Sequence, residues 1–239
     1  MYFLSFETSS KIFSLALSRD EKVLRFRNIK NSLVLEDSIL PAMDKILASA
    51  SLKFSQMDGF AVALGPGSFT SLRVGLSVIK AFAFGTGKPV VGIPTLDILA
   101  EGVRNKGDVD EICVLNDARR GNVFASFYRP VSNQGLERKS DYLLTTLDKV
   151  LEKVHGQTLF VGDALGLYRE TIEKAYQSYN VKKKCVCKCL FVNEKLCYPQ
   201  SKVMAGLAFE RFQNKQYEDP GKLLPLYLYP QDCQVAKKA

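Results

Sequence analysis

The residues best suited to chemistry lie in one run, Ala63-Leu64-Gly65-Pro66-Gly67-Ser68-Phe69-Thr70-Ser71-Leu72-Arg73. Apolar residues Phe60 to Leu64 lead into it, and a long apolar stretch from Leu72 to Phe84 comes after it. That order predicts a buried strand, a tight turn and a helix, with Ser68, Thr70 or Ser71 as the cap. Gly65 and Gly67 allow the backbone positive φ, and Pro66 stiffens the turn between them. Such a turn leaves helix N–H groups uncovered, so it can hold an anion or a partner's acidic side chain. No Gly-Lys-Ser/Thr comes next, which excludes a phosphate-binding P-loop, and the Gly-x-Gly-x-x-Gly dinucleotide fingerprint is missing too. On the residues alone, a bare structural turn outweighs a binding loop.

Two other sets of side chains could do chemistry. Cys185, Cys187 and Cys189 alternate, which puts three sulfurs on one face of a strand, and Cys197 lies eight residues on. Alternating thiols can chelate a soft metal. The paired Cys-x-x-Cys spacing of zinc sites is absent, however, and cysteine packs well as a small buried group. One buried strand face, with Lys188 turned to water, is the preferred reading. The single histidine, His155, sits in a Val154-His155-Gly156 turn. Alone it builds neither a metal site nor a Ser-His-Asp triad, so it is read as a surface residue at a helix end. No catalytic residue, metal ligand or cofactor is assigned.

The elements that position these residues come from periodicity. Strands are expected at Tyr2–Glu7, Ile12–Ser18, Val23–Arg27, Gly59–Leu64 and Val90–Ile93. Phe13, Leu15 and Leu17 alternate with Ser14, Ala16 and Ser18, the pattern of a half-buried strand. A helix near Glu36–Ala50 puts Ile39, Met43, Ile46, Leu47 and Ala50 on one face, and Pro41 kinks it or marks its first turn. Further helices are expected at Thr70–Phe84 and, behind a Thr95 cap, at Leu96–Arg104. Polar Gly102–Asp110 reads as a link between halves.

Beyond the link the order recurs. Strands are expected at Ile112–Asn116, Val123–Tyr128, Asp141–Thr145 and Thr158–Val161, with strand-like Lys184–Val192. Helices are expected at Leu147–Val154, Leu167–Gln177 and Val203–Gln213. Two successive βββαβα units imply an α/β protein made of two copies of one fold packed face to face. The halves are placed at residues 1–104 and 105–239, with the last segment packing back on the first half.

No apolar run approaches the ~18 residues of a membrane span. The start, Met1 to Glu7, lacks the basic region of a secretory signal. Six cysteines without a targeting segment predict reduced thiols in a cytoplasm. A net charge of +8 is compatible with a nucleic-acid partner. The cations are spread along the chain apart from Lys182-Lys183-Lys184 and the Lys237-Lys238 tail, so indirect contact with RNA is the expectation.

The Thr70–Phe84 helix is apolar all round: Leu72, Val74, Leu76, Val78, Ile79, Phe82 and Phe84 wrap it, and only Arg73 and Lys80 carry charge. A helix of this kind needs cover on every side. Either it is sandwiched between the two halves, or another chain covers the side that the sheet does not. Small Ser71, Gly75 and Ala81 would let a partner helix approach.

The wording Gly65-Pro66-Gly67-Ser68-Phe69-Thr70, with Leu72-Arg73 and Gly75 after it, resembles the bacterial TsaB (YeaZ) family, accessory subunits of the machinery that makes threonylcarbamoyladenosine in tRNA. Glu7-Thr8-Ser9, Ile39-Leu40-Pro41, Gly92-Ile93-Pro94-Thr95-Leu96, Asp117-Ala118-Arg119-Arg120-Gly121-Asn122-Val123-Phe124 and Pro225-Leu226-Tyr227-Leu228 resemble it as well. The likeness covers most of residues 1–130 and thins beyond them. Glu7 stands where the family usually has Asp, and Leu35 or Glu36 where many members have His.

The resemblance implies an actin-like, ribonuclease H-like (ASKHA) fold. In that superfamily an acid comes after the first strand of each half, and the adjoining hairpins hold phosphates and Mg²⁺. The matching places are Glu7, Thr8 and Ser9, and Asp117 with Gly121. The first hairpin has no glycine, so close approach to a phosphate would be strained, and Glu7 adds a methylene that octahedral Mg²⁺ tolerates poorly. A degenerate nucleotide site is therefore expected. The related catalytic subunit holds its metal with a His-x-x-x-His pair that this chain lacks. The family pairs through its first two helices, which makes Ile39, Met43, Ile46, Ser71, Arg73, Gly75, Val78 and Phe82 the expected interface. Arg73 would be its polar anchor and Gly75 its close-approach point, so that Gly75→Leu would break the complex and spare the monomer fold. The implied function is a non-catalytic scaffold for the metal-dependent paralogue (TsaD-like), with a small P-loop ATPase (TsaE-like) in the complex and a homodimer as another pairing. The rival is an active ATP-dependent phosphotransferase or ATPase using Glu7, Thr8 and Asp117.

Overall fold

The computed structural model describes residues 1–30, 35–131, 135–154, 156–183 and 187–229. In the first half β1 (Tyr2–Glu7), β2 (Ile12–Arg19) and β3 (Lys22–Lys30) run antiparallel, then α1 (Leu35–Ala48) leads to β4 (Gly59–Gly65) and α2 (Phe69–Thr86) to β5 (Val90–Pro94). β4 and β5 join in parallel, and the sheet order is β3-β2-β1-β4-β5. A helix α3 (Thr95–Glu101) comes next.

The second half contains β6 (Glu111–Arg119), β7 (Asn122–Val131), β8 (Gly135–Arg138), β9 (Leu143–Thr146), α4 (Leu147–Leu151), β10 (Thr158–Val161), α5 (Leu165–Lys183), β11 (Cys189–Phe191) and α6 (Ser201–Gln213). Its order is β11-β10-β6-β7-β8, with β9 also paired to β7. Matching β6 to β1, β7 to β2, β8 to β3, β10 to β4 and β11 to β5 makes the two orders the same. The expected repeat of an ASKHA-like fold is thus built twice.

Local expectations fail in three places. The strand expected at 141–145 forms as β9, but a further strand, β8, precedes it unforeseen, because Gly135–Arg138 is half exposed and shows no alternation of burial to read. The strand expected at 184–192 is paired only over Cys189–Phe191, and residues 184–186 lie outside the described residues. Thr95 does not cap α3. Pro94 holds that position, and the Thr95 hydroxyl is buried without a hydrogen-bond partner.

Burial assembles the halves. On one face of the first sheet Leu4, Phe6, Leu15, Leu17, Phe60 and Val62 pack against Ile39, Met43 and Ile46 of α1 and Leu76 and Ile79 of α2. Each such ring or branched chain contributes roughly 1.5–3 kcal/mol on leaving water. The other face of this sheet is covered from the far end of the chain: Phe3, Ala61, Val91 and Ile93 pack on Met204, Ala205, Ala208 and Phe212 of α6. Conversely, Leu96, Leu99 and Ala100 of α3 pack on Ile112, Val114, Tyr128 and Leu159 of the second sheet. So each half sends a helix onto the other's sheet.

Polar contacts fasten the exchange. Asp97 of α3 accepts hydrogen bonds from Tyr128 (2.7 Å) and Tyr142 (2.8 Å) of the second half. The Ser201 backbone N–H at the start of α6 donates to Ser14 of β2 at 2.8 Å. After α6 the chain runs back along the first sheet. Glu218 N–H donates to Val90 O (2.8 Å), Leu226 N–H to Leu64 O (2.7 Å), and the Tyr229 hydroxyl to Ala118 O of the second half (2.5 Å).

Candidate partner interface and the closed first hairpin

β1 delivers Glu7 to the head of the first sheet, where the β1–β2 hairpin begins. Its carboxylate is fully buried, and Oε1 accepts the Ser9 N–H (2.7 Å) and the Ser9 hydroxyl. The other oxygen, Oε2, has no protein partner, nor has the hydroxyl of Thr8 beside it. Burial pushes the Glu7 carboxyl up to about 8 against the opposing pull of the Ser9 bonds, so the group is largely protonated at neutral pH.

The Gly65–Gly67 turn lies over this hairpin. Ser68 N–H donates to Ser9 O at 2.7 Å, and a Cβ on Gly67 would fall on the Ser9 carbonyl and 2.8 Å from Ser9 Cβ. Gly65 has φ +93°. The glycines thus admit the chain's own hairpin where a phosphate would need room. Ser68 occupies the N-cap position of α2 without a side-chain bond to its backbone, and its hydroxyl meets that of Ser71 at 3.0 Å. Thr70 is exposed and takes no part in the cap.

The second hairpin is open. Asp117 accepts the Arg119 N–H (2.8 Å) and pairs with the Arg119 guanidinium (3.1 Å), and its own N–H donates to Asp163 (2.8 Å). Gly121 turns at φ +74° with empty space around it. Burial raises the Asp163 carboxyl above the usual carboxylate range. Lys11, at the tip of the first hairpin, reaches across and sits 4.8 Å from the centre of the Tyr198 ring. Among the described residues no three His, Cys, Asp or Glu side chains gather as metal ligands.

The expected interface divides in two. Ile39, Met43 and Ile46 are buried in the protein's own core, because the face of α1 that carries them is the face that covers β2 and β3. Gly75 also turns inward: a Cβ there would stand 2.9 Å from Thr8 Cγ2, so the close approach it serves is that of α2 to the first hairpin. Gly75→Leu would therefore disturb the fold rather than spare it. Phe82 packs into a ring cluster with Phe6, Phe54 and Phe60, and Val78 lines the same core. Ser71 is half-buried.

What α2 does present outward is a stripe at helical spacing: Thr70, Arg73, Ser77, Ala81 and Phe84, with Phe69 and Gly85 beside it. Phe69 is 51% and Phe84 66% exposed, and Leu40 of α1 is 49% exposed. Arg73 lies over the Phe69 ring at 3.8 Å and donates to the Tyr227 hydroxyl at 3.0 Å, so the returning C-terminal segment borders this face. Phe69, Ser77, Leu40 and Tyr227 were not among the expected contacts. The i, i+4 spacing of Arg73, Ser77 and Ala81 is the signal that could have found Ser77. Tyr227 had no such signal, because only the fold returns it to α2.

Cys187 and Cys189 are half-buried beside the second core and Cys197 is buried within it; Cys185 and His155 lie outside the described residues. Burial raises the Cys189 and Cys197 thiols. A groove of about 960 Å³ between α3, α6 and β7–β8, lined by Asp97, Glu101, Arg138 and Tyr142 among others, holds none of the expected site residues.

Known proteins give this arrangement its context. The family model for TsaD, tRNA N6-adenosine threonylcarbamoyltransferase, matches residues 34–198. The tRNA threonylcarbamoyladenosine biosynthesis protein TsaB of Escherichia coli (strain K12) is 27% identical over 168 residues, 68% of this chain and 71% of that protein. TsaB of Buchnera aphidicola subsp. Baizongia pistaciae is 24% identical over 230 residues, 94% of this chain and 96% of that protein. YeaZ from Pseudomonas aeruginosa shares the fold, with a TM-score of 0.76 at 20% identity over 95% of this chain and 99% of that one. With more than half of its length matched by the TsaD-type model and with TsaB proteins as its relatives, the chain belongs to the TsaB (YeaZ) branch of that family.

Proposed function

We propose that the chain is a non-catalytic accessory subunit in the formation of threonylcarbamoyladenosine in tRNA, and that it docks a TsaD-like paralogue through the outward face of α1 and α2. The observation that carries this reading is the exposed stripe of α2, where large rings stand on a helix whose opposite side already fills the core. Rings left in water beside small Ser77 and Ala81 suit a partner helix that packs closely. A TsaE-like P-loop ATPase would join the assembly, and a homodimer through the same face would compete with it. The place of this work would be the cytoplasm, where tRNA is modified; among the described residues no helix is long and apolar enough to cross a membrane.

The hairpin geometry disfavours an ATP-dependent enzyme. The Gly65–Gly67 turn rests on Ser9, and Glu7 is buried and largely protonated where a Mg²⁺ site would need exposed charge. The test is capture of the TsaD-like paralogue by Ala81→Arg and, separately, by Phe84→Asp. Both side chains are exposed, so melting should be unchanged while affinity falls at least about tenfold, as for a central interface residue. Capture at wild-type strength would overturn the reading.

A further inference from the structure

The open edge of the first sheet gathers cations that are apart in the sequence. β3 is the outermost strand, and its pairing aligns Lys22 with Arg19, Arg25 with Leu17 and Arg27 with Leu15. On the next strand Arg19 opposes Tyr2, Leu17 opposes Leu4 and Leu15 opposes Phe6. Directly opposed residues share a face. A register shift beside Leu17 and Ser18 brings Lys22 into phase with Arg25 and Arg27, so Arg19, Lys22, Arg25 and Arg27 all project on the α1 side. All four are exposed, and none enters an ion pair among the described residues.

Two nearby acids are engaged elsewhere, Asp20 with the Met1 ammonium at 2.6 Å and Asp58 with the Tyr2 N–H at 2.7 Å. The exposed Glu21 of the β2–β3 turn is one negative charge beside four positive ones. Arg25 is aimed by two bonds to Ser49 O, at 3.2 and 2.9 Å. On the opposite face Lys202 of α6 stands 5.2 Å above the Phe26 ring, so the edge is cationic on both sides. Like charges opposed across strands destabilise a sheet, and crowding four cations with too few counter-charges favours a polyanion in solution.

We infer that this edge is a contact surface for the phosphate backbone of RNA. Arg25 and Arg27 stand two residues apart on one strand, ~6.7 Å, which lets each guanidinium take its own phosphate along a nucleic-acid strand. The outward backbone groups of an edge strand add further hydrogen-bonding positions. Pairing with an apolar or basic strand is disfavoured, because cations on an edge guard against it. A membrane is disfavoured because Val23, Leu24, Phe26 and Ile29 are all partly covered, so that this strand offers no fully exposed apolar side chain to insert. The choice of RNA among polyanions rests on the function proposed above.

The test is fluorescence anisotropy of the full chain with an unmodified tRNA transcript, over salt from about 50 to 200 mM. The variant is Arg19→Gln/Lys22→Gln/Arg27→Gln, which keeps Arg25 and its bonds to Ser49, with Lys149→Gln/Lys153→Gln in the second half as control. Each lost phosphate contact should lower the slope of log affinity against log salt by about 0.7–0.9, so the triple variant should lose about 2–3. Its affinity at the low-salt end should fall at least about tenfold, and the control should match wild type. If the triple variant melts early, Lys22→Gln alone should still lower the slope by about 0.7–0.9. Absence of wild-type binding, an unchanged slope, or equal loss in the control overturns the inference. So does loss of the TsaD-like paralogue with RNA binding intact, which would make the edge a protein surface. Failure of the α2 variants to affect capture would sink the proposed docking face and leave the salt slopes standing.

Discussion

The β1–β2 and β6–β7 hairpins stand at matching places in two sheets of the same strand order, yet one is shut and the other open. In the first, Glu7 is wholly buried, Ser9 spends its backbone and hydroxyl on that carboxylate and on the Gly67 loop, and Gly75 of α2 presses on Thr8. In the second, Asp117 keeps a partly exposed ion pair with Arg119, and Gly121 turns in open space. The difference lies in the segments packed against each hairpin. The first half places a glycine-lined turn and a long helix on its hairpin, whereas the second leaves its hairpin to solvent and to the Asp163 turn. Equivalent topology therefore does not give equivalent chemistry, and a first hairpin closed by its own chain is poorly built to hold a phosphate.

Breaking the closed hairpin should have the largest effect. Gly75→Leu drives a branched side chain into Thr8, and should cost about 3 kcal/mol or more in urea unfolding, with loss of soluble protein rather than selective loss of a partner. A stable, monomeric Gly75→Leu protein would refute the packing of α2 on the hairpin.

A pH series sharpens the contrast further. Glu7 keeps its proton in the folded state up to about 8, while the unfolded chain releases it near the ordinary 4.5. Between those values the folded state binds more protons, so stability should fall as pH rises through that window. Glu7→Gln should remove most of that slope, a change on the order of a few kcal/mol across the window. An unchanged slope in the variant would show that Glu7 is ionised and otherwise satisfied. At the open hairpin, Gly121→Ala should cost only about 1 kcal/mol, the strain of a positive φ without a clash. A cost like that of Gly75→Leu would mean that the second hairpin is packed as tightly as the first.

Much of this was legible beforehand. The strands at Tyr2–Glu7 and Thr158–Val161 fell where alternation and apolar content put them, because both are buried and short. The turn–helix junction at Gly65–Ser68 was also readable, from glycine, proline and a hydroxyl in sequence. The family's pairing through its first two helices pointed to α1 but not to a face of it. Periodicity could not supply one, because it records that Ile39, Met43 and Ile46 are covered, not whether the cover belongs to the same chain. Apolar composition likewise could not tell which side of α2 the sheet would take, and so it left Gly75 facing the wrong way. Gly135–Arg138 was invisible as a strand because its residues are half exposed and show no burial alternation, although its pairing with β7 is a local hairpin.

Residue types and short spacings were enough to establish that two βββαβα units would form an α/β protein, that a tight turn would lead directly into the second helix, and that no histidine pair would hold a metal. Local sterics and burial translate such patterns directly into elements. It took the folded chain to show that α3 and α6 exchange sheets, that Tyr227 returns to Arg73, and that Arg19, Lys22, Arg25 and Arg27 share one face. Each of these needs a strand register or a distant segment, and charges that look scattered along a chain become a patch once pairing sets their phase.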